Sequence, residues 1–295
     1  MLRKRSYFDS KTLPYLLILP QILVTVTFFY WPAVQGLAQS FMLSDPFGLH
    51  SRFVWFDNYI RLFKDPLYLR SIIITLTFSA STAALAITTG LFIATLANRI
   101  FRFKNIIRTF LIWPYAVAPA ISGILWLFLL HPSFGVVAIA IKKYLGVDWD
   151  PVLRGTDAMV ILASAWKQVS YNFVFFMAGM QAIPKSLIEA AAMDGAGPFR
   201  RFWTITLPLL SPTLFFVTVM NIIFSFFETF GIIHTITQGG PGGATNILVY
   251  KVYQDGFIGL NLGSSSAQSI LLMALIITIT LLQFKYVEKK VQYTG

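Results

Sequence analysis

Apolar residues fall in six long blocks along this chain, separated by short polar stretches. A helix that crosses a bilayer needs about 20 consecutive, mostly apolar residues. Stretches that meet this requirement lie within residues 13–37, 71–97, 109–130, 158–181, 207–231 and 264–284. The first sits in a region free of charge from Thr12 to Ser44, and the second carries no charge at all. The third is interrupted by Pro114 and Pro119, which kink a spanning helix while neighbours satisfy the freed carbonyls. The fourth holds one charge, Lys167, and the fifth carries Glu228 near its end. The pattern predicts an all-α membrane protein with six transmembrane helices, forming a single transmembrane domain over residues 1–295.

Charge gives the orientation. Cytoplasmic loops carry the excess of Lys and Arg. With the N-terminus inside, the tail, residues 98–108, residues 185–206 and the end of the chain from Lys285 sum to +10, the outside segments to zero, and Lys167 supplies the remainder of the net +11. That asymmetry supports an even number of helices with both termini cytoplasmic. Arg3, Lys4 and Arg5 before an apolar run are also what a signal peptide shows, but the run is long and reaches Trp31-Pro32 without a small-residue cleavage site. It reads as an uncleaved first helix. The larger external segments, 45–70, 131–157 and 232–263, have turn residues and aromatics and are expected to hold short interfacial helices.

Composition narrows the class further. Only 12% of residues are charged, about half the share in a soluble domain, and the mean hydropathy is +0.69. The basic balance does not point to nucleic acid, because the basic residues lie in short loops and form no basic helix or aromatic platform. There is no cysteine, which removes disulfides, thiolate chemistry and Cys-ligated zinc.

The connection between the fourth and fifth blocks stands out. Glu189-Ala190-Ala191-Ala192-Met193 has high helix propensity, Gly195 and Gly197 stop a helix, and Pro198 starts the next one. The prediction is a hairpin over residues 185–206: a short helix, a sharp glycine turn and a second short helix. Its small side chains let another backbone approach, Glu189 and Asp194 offer charge to a basic partner, and Phe202 and Ile205 anchor it to the bundle. By these properties it is either a docking knob or an ordinary amphipathic linker.

The stretch Ile183-Pro184, Leu187-Ile188-Glu189-Ala190-Ala191-Ala192, Asp194-Gly195-Ala196, followed by Pro208 and Pro212, resembles the EAA loop of ABC importer permeases. Thr237, Gly239-Gly240-Pro241 and Thr245 resemble an external segment of the carbohydrate, maltose-type branch of that family. Leu111 to Ala120, Trp166 to Phe173, Asp45-Pro46-Phe47-Gly48, Leu13 to Leu17 and the tail Gln283 to Glu288 are similar to the A-type permeases of glycerol-3-phosphate importers. The likeness covers essentially the whole chain. It implies a type I ABC importer permease fold with a five-helix core over 71–284. It implies a second homologous permease subunit, two cytoplasmic ATP-binding subunits, a periplasmic solute-binding protein and a place in the bacterial inner membrane. Glu189, Ala190, Ala191, Asp194, Gly195 and Ala196 are then the ATPase-coupling residues. Gly239, Gly240, Pro241 and Thr245 then lie near the docked binding protein; read as residues alone they are a rigid, exposed turn. The implied cargo is glycerol-3-phosphate or a glycerophosphodiester, with a neutral sugar or oligosaccharide as the alternative.

Several functions find no support. The glycine-rich run at 239–245 has no Lys in the Walker A position, so this chain is not expected to bind ATP. His50, His131 and His234 fall in external segments without metal-ligand spacing, and no catalytic residues, metal site or cofactor are expected.

Ionisable residues inside a membrane are functional candidates because burying them is costly. Lys167 lies beside Gln168, Tyr171 and Asn172, which share a helix face, a set suited to a phosphate-bearing solute. Lys167 is equally suited to pair with a helix C-terminus or to snorkel. Asn221 and Glu228 lie seven residues apart, on one face. Asn221 either lines the path or bonds a neighbouring helix. Glu228 is a partner for Lys167, an acceptor for a substrate hydroxyl, or interfacial, and its charge argues against contact with a phosphate.

Overall fold

The computed structural model describes residues 12–44, 50–99, 104–131, 133–146 and 156–290. The Arg3-Lys4-Arg5 cluster, Asp45-Pro46-Phe47-Gly48 and the connection at 100–103 lie outside the described residues. Helix dominates. α1 (Leu13–Thr25) passes through a π-helical turn at Val26–Tyr30 into α2 (Trp31–Ser40). An antiparallel pair follows, β1 (Met42–Ser44) with β2 (Ser51–Phe53), then α3 (Asp57–Lys64), α4 (Pro66–Arg99), α5 (Lys104–Ala116), α6 (Pro119–Leu129) and α7 (Val136–Leu145). Next come α8 (Thr156–Ala182), α9 (Lys185–Met193), α10 (Pro198–Arg201), a π-helical turn at Phe202–Thr206, α11 (Leu207–Leu209), α12 (Ser211–Phe227) and α13 (Phe230–Ile236). The last described elements are α14 (Leu248–Tyr253), a third π-helical turn at Gln254–Ile258, α15 (Leu262–Tyr286) and a 3-10 turn at Glu288–Lys290.

The apolar blocks become helices, though not all straight ones. Leu13–Ser40, Pro66–Asn98 and Leu262–Tyr286 are each long and apolar enough to cross a bilayer. The third block, expected as one kinked helix, is two helices at 109°. Ala118, the residue before Pro119, is extended with φ −60° and ψ 143°, because the proline ring disfavours helical geometry in its predecessor. A second bent pair, Pro198–Leu209 and Ser211–Phe227, turns by 68°. α8 has the length of a span at 27 residues, but Lys167, Gln168, Tyr171 and Asn172 interrupt its apolar character. The segments expected to hold short helices contain α3, α7 and α14. The small β-pair was not expected, since three residues per strand are too few for an alternating pattern to show.

The chain resolves into two compact units. The first comprises residues 1–64 with 252–271. Within it, the Asn58 amide donates to the Ser40 and Met42 carbonyls at 2.9 Å each, fixing α3 against the end of α2. No residue of α1 is buried, so its apolar surface is of the kind that faces lipid or another chain.

The second unit, 65–251 with 272–295, is built on α4 and α8. Ala83, Ala86 and Ala94 of α4 are buried, and a Cβ at Gly90 would stand 2.7 Å from the Asn172 Cβ. Small residues matter here because apolar burial drives little association in lipid, and close backbone approach takes its place. α12 joins this pair through a core of Ala94, Phe173, Phe176, Met177, Leu210 and Val217. α6 and α13 cross with their backbones in contact: a Cβ at Gly123 would overlap the Thr235 hydroxyl, and one at Gly231 would lie 3.0 Å from the Ala120 nitrogen.

Candidate functional site

Three places carry the residues that the sequence singles out. The first is the hairpin. α9 runs to Met193, and Gly195 takes φ +76°, a left-handed conformation that glycine adopts without cost. The Gly195 amide donates to the Ala192 carbonyl at 3.1 Å and the Ala196 amide to the Ala191 carbonyl at 2.9 Å. This pairing ends a helix by satisfying its last carbonyls. Pro198 then opens α10. Glu189, Ala190, Asp194 and Gly195 are exposed, and Ala191 and Ala196 are half-buried. Met193, 85% exposed, stands at the tip, and nothing lies within 4 Å of where a Gly195 Cβ would be. The hairpin therefore presents a bare tip of small residues and the Met193 side chain, with two carboxylates.

The second place is the middle of α8. Trp166 meets Trp113 of α5 and Trp126 of α6 edge-on, with ring centroids 6.3 and 6.2 Å away. Beside it Lys167, 6% exposed, donates from Nζ to the carbonyls of Tyr115 at 2.9 Å and Val117 at 2.8 Å. The ammonium also lies 5.2 Å from the centroid of the Tyr115 ring. Three roles were open to Lys167, namely contact with the solute, pairing with a helix C-terminus and snorkelling, and its bonds are those of the pairing with a helix C-terminus. Glu228, exposed at the end of α12, acts electrostatically on the same ammonium. Tyr115, Tyr171, Phe175 and Phe216 form a run of rings with successive centroids 5.7, 4.6 and 4.9 Å apart, and Tyr115 is 51% exposed.

Gln168, Asn172 and Asn221 are instead buried. The Asn221 amide donates to the Asn172 oxygen at 2.7 Å, and the Asn172 amide returns a bond to Asn221 at 3.3 Å. The structure thus brings Lys167, Tyr171 and Glu228 to one region and turns Asn172 and Asn221 toward each other inside the bundle. Reasoning from sequence missed the carbonyls of Tyr115 and Val117. The signal was present: Pro119 stands four residues after Tyr115 and has no N–H to give it.

The third place is the turn from Thr237 to Thr245. Thr237 and Thr245 face each other with hydroxyls 2.6 Å apart. The Thr245 hydroxyl also donates to the Gly240 carbonyl at 2.9 Å, and Gly239 takes φ +81°. The two threonines of the motif close the turn on itself. Ala244 and Thr245 border a cleft of about 230 Å³ that Ile74 and Phe78 of α4 and Ile161 of α8 also line.

The family described as "Binding-protein-dependent transport system inner membrane component" matches residues 86–293. This chain belongs to that family. The permease is 56% identical over 289 residues, 97% of its length and 98% of its relative's, to the sn-glycerol-3-phosphate transport system permease protein UgpA of Brucella abortus biovar 1 (strain 9-941). It is 56% identical over 292 residues to UgpA of Rhizobium meliloti (strain 1021), covering 98% of its own chain and 99% of that one. With UgpA of Yersinia pestis it shares 50% identity over 291 residues, 98% of each chain. Among solved structures it is similar to a bacterial ABC transporter that imports the acidic polysaccharide alginate. That match has a TM-score of 0.81 at 22% identity and covers 94% of the permease and 95% of the other chain. A second structure of alginate ABC transporter, at TM-score 0.81, 21% identity and coverage of 95% and 96%, is in complex with a periplasmic protein carrying an alginate pentasaccharide. The permease is thus a membrane-embedded, non-catalytic subunit of an ABC importer, and ATP hydrolysis belongs to a separate subunit.

Proposed function

We propose that the permease carries sn-glycerol-3-phosphate, or glycerophosphodiesters, across the bacterial inner membrane into the cytoplasm. The observation that carries this reading is the near full-length identity of 50–56% to permeases named for that cargo. In this reading six spans, with α8 as the fourth and both termini cytoplasmic, pair with a second homologous permease subunit around a central path. A periplasmic solute-binding protein docks near Gly239, Gly240, Pro241 and Thr245. Two ATP-binding subunits receive the hairpin of Glu189, Ala190, Ala191, Asp194, Gly195 and Ala196, whose bare tip suits insertion into a cleft. The ATPase pair must bind the outward-facing state more tightly than the inward-facing one, because a partner without differential affinity shifts no equilibrium.

For the path we favour the run of Tyr115, Tyr171 and Phe216, of which Tyr115 and Phe216 are exposed and Tyr171 is half-buried, with Glu228 at its edge. Tyr171 and Glu228 then contact the glycerol hydroxyls, Lys167 and Gln168 stand behind them, and Asn172 and Asn221 hold α8 to α12. The test is uptake of labelled glycerol-3-phosphate, with maltose as control, in cells making this chain with its neighbouring importer subunits. Uptake of the phosphate ester alone, dependent on ATP and the binding protein, is expected. No uptake while the ATPase still co-purifies would discard the cargo and keep the permease.

A further inference from the structure

The 109° turn between α5 and α6 leaves the carbonyls of Tyr115 and Val117 without helical partners. In an unbroken helix the Tyr115 carbonyl would accept from the amide of residue 119. Residue 119 is proline and has no N–H. Val117 sits in the break itself, and α6 draws its first amide bond from the next residue, with Ser122 donating to the Ala118 carbonyl at 2.9 Å. In a membrane interior an unpaired carbonyl has no water to turn to. The two orphans converge on one donor, the Lys167 ammonium, at 2.9 and 2.8 Å. They also belong to the C-terminal end of α5, where a helix carries partial negative charge and favours a cation. The residue beside Lys167 completes the arrangement, because Trp166 is met by Trp113 from one arm of the bend and Trp126 from the other. The Trp166-Lys167 dipeptide of α8 fills the inside of the turn.

We infer that Lys167 is a positioning residue that holds the α5–α6 bend, supplying the hydrogen bonds that Pro119 withholds, and that its cation does not serve to bind the cargo's phosphate. Glu228, at the break between α12 and α13, lies within electrostatic range of the ammonium. α6 and α13, which depart from the two breaks, cross through Gly123 and Gly231. The inference rests on the permease reading above but not on the identity of the cargo.

The chain has no cysteine, so a pair of spin labels can be placed on it alone. Ile112 and Ile124 are exposed on the two arms of the bend. With labels at Ile112→Cys and Ile124→Cys in the assembled importer in nanodiscs, a narrow distance distribution is expected with Lys167 present. Lys167→Met should broaden it, and Lys167→Arg, which keeps a cation and several donors, should leave it narrow. In vesicles Lys167→Met should lower the maximal uptake rate of glycerol-3-phosphate at least tenfold and leave the half-saturating concentration within about twofold. A narrow distribution in Lys167→Met overturns the inference, and so does a tenfold rise in half-saturating concentration with the maximal rate unchanged, which is the signature of cargo contact. Should Lys167→Met fail to reach the membrane, Lys167→Arg decides: a broad distribution with full uptake overturns the inference as well. The distance measurement needs no cargo, so a wrong cargo leaves its outcome readable.

Discussion

Asn172 and Asn221 are each other's hydrogen-bond partners. The two side chains, both fully buried, exchange amide bonds between α8 and α12 at 2.7 and 3.3 Å, and Asn221 also donates to the Val217 carbonyl at 2.6 Å. Interhelical side-chain bonds of this kind contribute about 0.6 kcal/mol on average and up to about 1.7 in membrane proteins. Removing one partner also leaves the other buried and unpaired, which adds about 1–3 kcal/mol. Asn221→Ala should therefore destabilise the permease by about 1–3 kcal/mol, while Asn172→Ala with Asn221→Ala should cost less than the sum of the singles. A double-mutant cycle on unfolding in detergent measures this, and strict additivity would show that the pair is not coupled.

The hairpin prediction separates shape from charge. Open space surrounds the Gly195 Cβ position, so a substitution meets only the left-handed backbone, a penalty of about 1 kcal/mol that Asn largely escapes. Gly195→Asn should retain most uptake. Gly195→Asp and Glu189→Lys should abolish it with the chain still inserted, because each changes the charge or shape offered to the ATPase. Co-purification of the ATPase with each variant, beside uptake, is the measurement. Normal transport in both of the latter would remove the hairpin from the coupling path.

Much of this was legible in the sequence, for reasons that differ by place. The hairpin is local: Glu189 to Met193, Gly195 and Pro198 specify helix, turn and helix within a dozen residues, and the structure builds that order. Apolar runs likewise located the long helices. The sequence was least informative where partners are far apart in the chain. Nothing near Lys167 says that its acceptors are Tyr115 and Val117, fifty residues earlier, although Pro119 marks the missing donor. For the same reason Asn172 and Asn221 read equally well as path residues until α8 and α12 are brought together.

The crossing of α6 and α13 depends on two glycines. A methyl group at Gly123 would overlap the Thr235 hydroxyl and lie 3.2 Å from the Ile232 carbonyl oxygen. Overpacking of this sort costs about 1–3 kcal/mol. Gly123→Ala is expected to lower thermal stability and slow uptake, and Thr235→Ala added to it should recover part of both. The recovery is partial because the Ile232 carbonyl belongs to the backbone and stays in place. No recovery at all would mean that the Thr235 contact is not what limits the approach.

The turn from Thr237 to Thr245 gives the last prediction. Thr237 and Thr245 form a short relay: with one proton on each hydroxyl, Thr237 donates to Thr245 across 2.6 Å, Thr245 donates to the Gly240 carbonyl at 2.9 Å, and the Gly239 amide donates to Thr237. The turn also holds Ile247 and Leu248, both buried, and the Leu248 amide donates to the Thr75 hydroxyl of α4 at 2.8 Å. Loosening the turn therefore releases the start of α14 from α4 without touching the apolar core of α8 and α12. Thr245→Val preserves shape and removes two of the bonds, at about 0.5–1.5 kcal/mol each. The variant should insert normally and keep its ATPase, yet expose the 237–247 segment to protease added from outside and weaken binding-protein-stimulated ATP hydrolysis. Thr245→Ser, which keeps the hydroxyl, should behave as the parent. If Thr245→Val resists protease as the parent does while stimulation still falls, the hydroxyl acts directly on the docked protein and the turn does not depend on it for closure.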